Sequence, residues 1–364
     1  MASSSTKEDR IQWPRLGWLL FTLLACAHFS MLDLSRSPQF LNLHLYANGA
    51  ERLPYQGRIL MAWLLHSMDG MLGHVMAHPA MVARLAQVST HVPLRLTQPY
   101  VLPLVITSFI SMLVAVLAAR ASLLHLTGSK AFASWAALLT LYMAYFNLLT
   151  VYGLAYTLPY DIPSLAFFSV GVWLVLTRRY WVLLPVFILG TLNRETYCFM
   201  TVFLALYIWF EERLQTDTRS RLLALSRVAP HLAIQAALWL TIRLWIRHHF
   251  LQNPIDHDAA NGFFIFQYRH NLKLIANPGQ WPLFLSLFGF TLPFVVSGYR
   301  WIGNLGLARS VMAITTLWFV AMMTIGTIVE VRIFDELTAF FAPALGLILW
   351  NRWIEPASEA ERVK

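Results

Sequence analysis

Charge is what this chain lacks most. Only 12% of its 364 residues are Asp, Glu, Lys or Arg, about half of the roughly 25% found in soluble domains, and that excludes an ordinary soluble enzyme. Cysteine is nearly absent: Cys26 and Cys198 both stand in apolar surroundings, so there is neither a disulfide framework nor a cysteine-based metal site to read. No G-x-x-x-x-G-K-[ST] phosphate loop occurs, and no internal repeat or low-complexity stretch is visible. The basic excess, net +9, is not gathered on a polar face. It punctuates the ends of apolar runs, which argues against nucleic acid and for a bilayer as the partner.

What the chain has instead is apolar length. Apolar residues make up 58%, mean hydropathy is +0.56, and apolar runs recur from residue 15 to residue 350. The expectation is an all-α polytopic membrane protein, with residues 1–350 as a single transmembrane unit and 351–364 as a cytoplasmic tail. Spans are expected at residues 15–32, 101–119, 132–153, 162–177, 181–192, 197–210, 228–247, 281–298, 310–328 and 337–350. Several are shorter than the ~20 residues that a perpendicular helix needs. The first run could pass for a signal peptide or, through Leu23-Leu24-Ala25-Cys26, for a lipoprotein box. Leu24 is too bulky for that position, and a polytopic chain needs a retained first helix, so the run is read as a span that starts in the cytoplasm.

Ten spans put both termini inside, and the loop charges agree with that. Lys7, Arg10, Arg15, Arg120, Lys130, Arg178, Arg179, Arg213, Arg219, Arg221, Arg227, Arg300, Arg309, Arg352, Arg362 and Lys364 then all face the cytoplasm, whereas the short outer loops carry only Arg194 and Arg332. The apolar stretch 59–78 is not counted as a span, because doing so would invert every later loop. Its His66, Asp69, Gly70, His74 and His78 suit a helix pair on the outer membrane surface. The first outer loop then covers residues 33–100, carrying amphipathic surface helices, and a second long one covers 248–280. Trp13, Trp18, Trp181, Trp281, Trp301, Trp350 and Trp353 read as headgroup anchors.

With the topology set by charge, the unusual polar residues converge on the outer face. Asp33 ends the first span, Tyr55-Gln56-Gly57-Arg58 opens the surface helix, and Tyr160-Asp161 begins a span. Asn193-Arg194-Glu195-Thr196 joins two short helices, and Glu330-Val331-Arg332-Ile333-Phe334-Asp335-Glu336 joins the last two. Ionisable groups at membrane depth are costly and are usually found facing a protein interior or a watered cavity. Any one pair, Arg194 with Glu195 or Arg332 with Asp335, could merely tie helix ends together. Five segments that choose the same side are harder to explain in that way, and Arg, carboxylate, Tyr and Asn together suit an anionic, hydroxylated ligand. Arg58, Arg194 and Arg332 are the phosphate-binding candidates, with Tyr55 and Asn193 beside them on the donor. Asp33, and after it Asp161, are the candidates for a general base, and Tyr160, Glu195, Glu330 and Asp335 for supporting roles.

Metal signals are weaker. His74 and His78 stand four apart as in helical zinc pairs, but the acidic partner is missing. His248, His249, Asp256, His257, Asp258 and His270 form a denser set that reads first as a solvated loop, with a divalent metal as the alternative. No metal ligand and no cofactor is therefore expected.

These five segments resemble the GT-C superfamily, polytopic glycosyltransferases that use polyprenyl-phosphate-linked sugars on the outer face of a membrane. The Asn193-Arg194-Glu195-Thr196 and Glu330–Glu336 segments are similar to motifs in uncharacterised bacterial membrane proteins grouped with such transferases, and the resemblance spans residues 15–350. It departs from the family where many members carry two adjacent acidic residues, since Asp33 is followed by Leu34 and Ser35. The resemblance implies an inverting sugar transfer in the bacterial inner membrane. Asp33 would be the base toward an acceptor hydroxyl of a glycan, glycolipid or protein, and Arg58, Arg194 and Arg332 would hold the departing lipid phosphate. A transporter or flippase for a lipid-linked or small anionic solute is the competing class, with broken helices around Pro185 and Asn193-Arg194. A membrane scaffold without activity is the third.

Overall fold

The structure is a computed structural model that describes residues 6–36, 41–91, 96–149, 158–211, 218–255 and 267–354. It is helical throughout, with no strand among the described residues beyond a lone bridge between Leu53 and Ile255. The helices, in chain order, are α1 (Thr6–Arg36), α2 (Leu43–Ala47), α3 (Ile59–Met76), α4 (Pro79–His91), α5 (Val101–Thr127), α6 (Lys130–Ala136), α7 (Leu139–Ala144) and α8 (Asp161–Leu176). They continue as α9 (Tyr180–Asn193), α10 (Phe199–Phe210), α11 (Thr218–His249), α12 (Tyr268–Ala276), α13 (Trp281–Leu285), α14 (Leu292–Ser297), α15 (Leu305–Ile325) and α16 (Thr338–Leu349). Tight turns at Tyr55–Gly57, Glu195–Cys198 and Val331–Leu337 precede α3, α10 and α16.

Among the described residues, six helical segments are long and apolar enough to cross a membrane: Leu16–Ser35, Val101–Thr127, Lys130–Leu149, Leu222–His249, Leu305–Ile325 and Val331–Ile354. Three shorter apolar helices, Asp161–Leu176, Tyr180–Asn193 and Glu195–Phe210, join them. At 1.5 Å per residue the 14 residues of α9 reach about 21 Å, short of the ~30 Å hydrocarbon core. Burial sets the radial order. Of the 18 most apolar consecutive residues in Val331–Ile354, 89% are buried, and this segment forms the centre, whereas the corresponding share in Leu222–His249 is only 17%, which puts it at the periphery. Around the centre, α5 packs on α8 and α1, and α10 packs on α15 and α11.

One expected span takes a different form. Residues 281–298 make no single helix but the short helices α13 and α14, separated by a turn in which Phe288, Gly289 and Phe290 all have left-handed backbone, φ +54°, +66° and +62°. Pro282 and Pro293 each sit in the first turn of their helix, where a missing N–H costs nothing. Tyr142 donates its hydroxyl to the Gly289 carbonyl at 2.9 Å, and the Asn147 side chain accepts from the Phe288 N–H at 2.9 Å while donating to Thr338 Oγ1 at 3.2 Å. The turn is thus clamped against α7 and the start of α16. Asn271 bonds the carbonyls of Met323 and Gly326 at one end of α15, and Asn304 caps the other end through the Leu307 N–H. The chain between them therefore travels the length of the bundle as an interrupted helix. The expected break at Pro185 is absent, since α9 runs through it to Asn193.

Residues 59–76 form α3, paired with α4. Ile59, Met61, Ala62 and Leu65 are buried against the bundle, and Trp63, Leu64 and Met71 remain exposed. Close helix approach depends on two glycines. Tyr197 is fully buried between α8 and α9, its hydroxyl bonded to the Phe167 carbonyl at 2.9 Å. A Cβ on Gly190 would stand 2.6 Å from the Tyr197 ring, and one on Gly171 would stand 2.6 Å from its hydroxyl. Gly190→Ala is expected to lower the unfolding free energy of the detergent-solubilised protein by about 1–3 kcal/mol through overpacking. Gly70→Ala, where a Cβ meets nothing within 4 Å, is expected to be neutral or to stabilise α3 by up to about 1 kcal/mol; equal losses at both sites would refute this account of the packing.

Candidate functional site

The polar segments meet at one end of the bundle because the helices alternate in direction: α1 and α9 finish there, α8 and α16 start there. Asp161 is the first residue of α8, where the helix dipole favours a negative charge. Asn193 is the last residue of α9; Arg194 then takes an extended backbone, φ −157° and ψ +135°, and hands the chain to the Glu195–Cys198 turn. With so few residues between two apolar helices, Arg194 and Glu195 are held at the helix ends. The Val331–Leu337 turn has a period near three, so Arg332 and Asp335 share a face.

Asp161 is the hub. Its Oδ1 accepts from Arg194 Nη1 at 3.0 Å and its Oδ2 from Arg332 Nη1 at 3.2 Å. Arg194 also pairs with Glu336 Oε1 at 2.6 Å, and the same oxygen accepts from Ser164 Oγ at 3.2 Å and Thr196 Oγ1 at 3.3 Å. Arg332 Nη2 reaches Glu330 Oε2 at 2.7 Å. Arg58 makes a two-pronged pair with Glu195, Nη2 to Oε1 at 2.9 Å and Nε to Oε2 at 3.2 Å, and also donates to the Tyr160 hydroxyl. Tyr160 lies under two cations, with the Arg58 guanidinium 4.3 Å and that of Arg194 5.9 Å from its ring centre. Asn193 Nδ2 donates to the Tyr160 carbonyl at 3.0 Å.

Burial of these groups is deep. Asp161, Arg194, Asp335 and Glu336 are buried, while Glu195 and Glu330 keep 30% and 27% of their side chains exposed and form a rim with Arg243. Asp33 is buried at the end of α1, close enough to Asp161 and Asp335 to feel their charges. Burial lifts the Tyr160 phenol above its ordinary value despite Arg58 beside it, so it stays neutral. Burial opposes the Arg58 charge, but Glu195 and Tyr160 overcome it and raise its pKa well above the usual value.

Of the residues singled out from sequence, Asp161, Arg58, Arg194, Arg332, Asn193, Glu195, Glu330 and Tyr160 are joined by these contacts, with Asp33 and Asp335 in electrostatic reach. Tyr55 shares an apolar cluster with Tyr160, and its ring lies under Arg52, 5.3 Å from the guanidinium. Glu336, Ser164, Thr196 and Arg243 are contributions that pattern reading did not assign. Arg243 was legible as the one cation inside the apolar run Leu238–Ile246; its Nη1 lies 3.9 Å from Glu195. His74 and His78 are exposed on α3 and the loop after it, and the His249 ring stacks on Trp245. Asp256, His257 and Asp258 lie outside the described residues. Among the described residues no three His, Cys, Asp or Glu side chains are grouped to hold a metal ion.

Atoms left without partners mark the interior of the cluster. Asp335 Oδ1 and Oδ2, Glu336 Oε2, Asn193 Oδ1, Arg194 Nε and Arg332 Nε are all buried and make no hydrogen bond, although buried polar atoms are nearly always paired in folded proteins. Such atoms occur singly elsewhere in the bundle, at Ser30, Ser169 and Gln235 among others, but the cluster gathers six of them, acidic and basic together. Arg194→Met, which strips partners from both Asp161 and Glu336, is expected to cost about 3–5 kcal/mol of stability. Arg178→Met, which removes a half-exposed pair with Glu211 at the other end of the bundle, is expected to cost less than about 1 kcal/mol; denaturation of the two variants in detergent compares them directly. No protein-family model matches this chain, and neither a curated protein nor a solved structure does.

Proposed function

We propose that the chain is a membrane glycosyltransferase that moves a sugar from a polyprenyl-phosphate donor to an acceptor hydroxyl. The observation that supports this reading is the meeting of ionisable groups from five distant segments at one end of an apolar bundle, with unpaired buried donors and acceptors among them. In the proposed topology the six long segments, the three short helices and the interrupted 281–298 segment make ten crossings. The basic loops face the cytoplasm and the cluster faces the outer side of a bacterial inner membrane.

In this mechanism the acceptor oxygen attacks the anomeric carbon while its proton passes to Asp33. The bond from that carbon to the phosphate oxygen breaks, and polyprenyl phosphate leaves with the electron pair. The product is inverted, and because the phosphate ester already provides the anomeric carbon with a good leaving group, no nucleotide is needed. Arg58, Arg194 and Arg332 retain N–H groups beyond those their carboxylates use, and these stabilise the charge that develops on the leaving phosphate. Asp161, with both oxygens on arginines, acts as a positioning residue and not as the base. No tightly held metal enters the scheme; activity lost to a chelator and restored by one divalent ion would overturn that part.

A transporter of a lipid-linked or anionic solute is the second reading. It is favoured by the interrupted 281–298 crossing and by the internal pairing of Arg58, Arg194 and Arg332. Release of free polyprenyl phosphate from a panel of polyprenyl-phosphate sugars, with membrane extract as acceptor source, separates the two. The transferase reading expects release that falls about 10²–10⁴-fold in Asp33→Asn and is also strongly reduced in Arg332→Ala. Release unchanged in both variants, or movement of the intact donor across a vesicle membrane without release, would refute it.

A further inference from the structure

Asp335 stands apart from the other carboxylates of the cluster. It is 1% exposed, and neither of its oxygens meets a donor. Asp161, by contrast, is saturated by two guanidiniums, and Glu336 has one oxygen held by Arg194, Ser164 and Thr196. Of the ionisable groups that act on it, Glu336, Asp161 and Asp33 are acidic and only Arg194 is basic, and Arg194 bonds Asp161 and Glu336 instead of Asp335. A buried carboxylate without a donor is a strongly unfavourable arrangement. Such arrangements persist where a ligand completes them.

The chemistry of the unpaired atoms identifies what completes this one. Asp335 Oδ1 and Oδ2, Glu336 Oε2 and Asn193 Oδ1 are acceptors, while Arg194 Nε and Arg332 Nε are donors. A phosphate ester, which only accepts, leaves Asn193 Oδ1 and the carbonyl oxygens of the two carboxyl groups unsatisfied, and a bare cation cannot satisfy the guanidiniums. A group with several adjacent hydroxyls does both, because each hydroxyl donates one hydrogen and accepts others. We propose that Asp335 anchors a buried subsite for a polyhydroxylated group, the sugar of the lipid-linked donor. Its oxygens accept from neighbouring sugar hydroxyls, and Arg194 Nε and Arg332 Nε donate to sugar oxygens. The subsite rests on the reading of the ligand as a sugar lipid, but it requires no turnover and serves a carrier as well as a transferase.

The test uses the full chain in lipid nanodiscs, with short-chain polyprenyl-phosphate hexoses and pentoses compared with polyprenyl phosphate alone. The wild type is expected to bind at least one sugar-bearing lipid about tenfold or more tightly than the bare lipid phosphate. Asp335→Asn and Asp335→Ala should abolish that preference and leave binding of the bare lipid unchanged. Because Asn keeps the shape and removes an acid buried among three other carboxyl groups, Asp335→Asn should also raise the ligand-free melting midpoint by about 2 °C or more. A structural role predicts the opposite sign. The proposal is overturned if Asp335→Asn lowers the midpoint and keeps the preference, or if the wild type prefers no sugar-bearing lipid. It is equally overturned if Mg²⁺ or Mn²⁺ stabilises the wild type through Asp335 while the sugar lipids do nothing. A sugar preference that depends on Asp335 without release of polyprenyl phosphate would uphold the subsite and refute the transferase. Release that survives Asp335→Ala undiminished would uphold the transferase and refute the subsite.

Discussion

Asp161 places one oxygen on Arg194, at the end of α9, and the other on Arg332, in the turn before α16. Since Asp161 itself starts α8, one carboxylate ties α8 to the next helix in the chain, α9, and to the turn before α16, whose Arg332 lies 171 positions away. The short apolar helices depend on this junction more than the long ones. An α9 of 14 residues stops before the hydrocarbon does, and its polar end needs partners that lipid cannot supply. The junction supplies them: Arg194 reaches both Asp161 and Glu336, and Asn193 reaches the Tyr160 backbone. Tyr197, held between Gly171 and Gly190, then fixes the turn that carries Arg194 and Glu195.

The charge balance of the cluster constrains every account of its role. Buried Arg194 and the largely buried Arg58 and Arg332 pair with Asp161, Glu195, Glu330 and Glu336, with Arg243 adding a fourth cation at the rim, and Asp33 and Asp335 are buried beside them. Each of these arginines already has a carboxylate partner. The arginines therefore serve a phosphate only through the N–H groups their carboxylates leave over, and Asp335 and Glu336 favour a ligand that donates hydrogen bonds. A sugar joined to a phosphate meets both conditions in one molecule, which is why the proposed donor suits the cluster better than a simple anion.

Much of this arrangement was legible in the sequence, for reasons that differ by residue. Apolar length and loop charge gave away the helical membrane class, and scarcity gave away the site: in a chain with so few charges, Asp161, Arg194 and Arg332 stand out at helix ends. Pairing was not legible, because no spacing rule connects Asp161 with Arg332 across 171 positions. The interrupted crossing at 281–298 was hidden for a different reason. Its composition is that of a span, and the break is made by Phe288, Gly289 and Phe290 in a left-handed turn that Tyr142 and Asn147 secure from elsewhere in the chain. Pro282 and Pro293 were the local signals, each marking the start of a separate helix. Glu336 was passed over beside Asp335, since sequence alone does not say which of two adjacent carboxylates meets an arginine.

The account requires the cluster to open on the outer face of the membrane, with Glu195 and Glu330 as its rim and Asn304 at the far end of the bundle. Single cysteines placed by Glu330→Cys, Glu195→Cys and Asn304→Cys, on a chain in which Cys26 and Cys198 are replaced by alanine, test this with a membrane-impermeant maleimide applied to intact cells. The account predicts labelling at positions 195 and 330 in intact cells, and at 304 only after permeabilisation. Labelling at 304 from outside, or at 195 and 330 only from the cytoplasmic side, would contradict the proposed orientation. Labelling at 195 and 330 from both sides would replace a one-sided transfer site with a carrier.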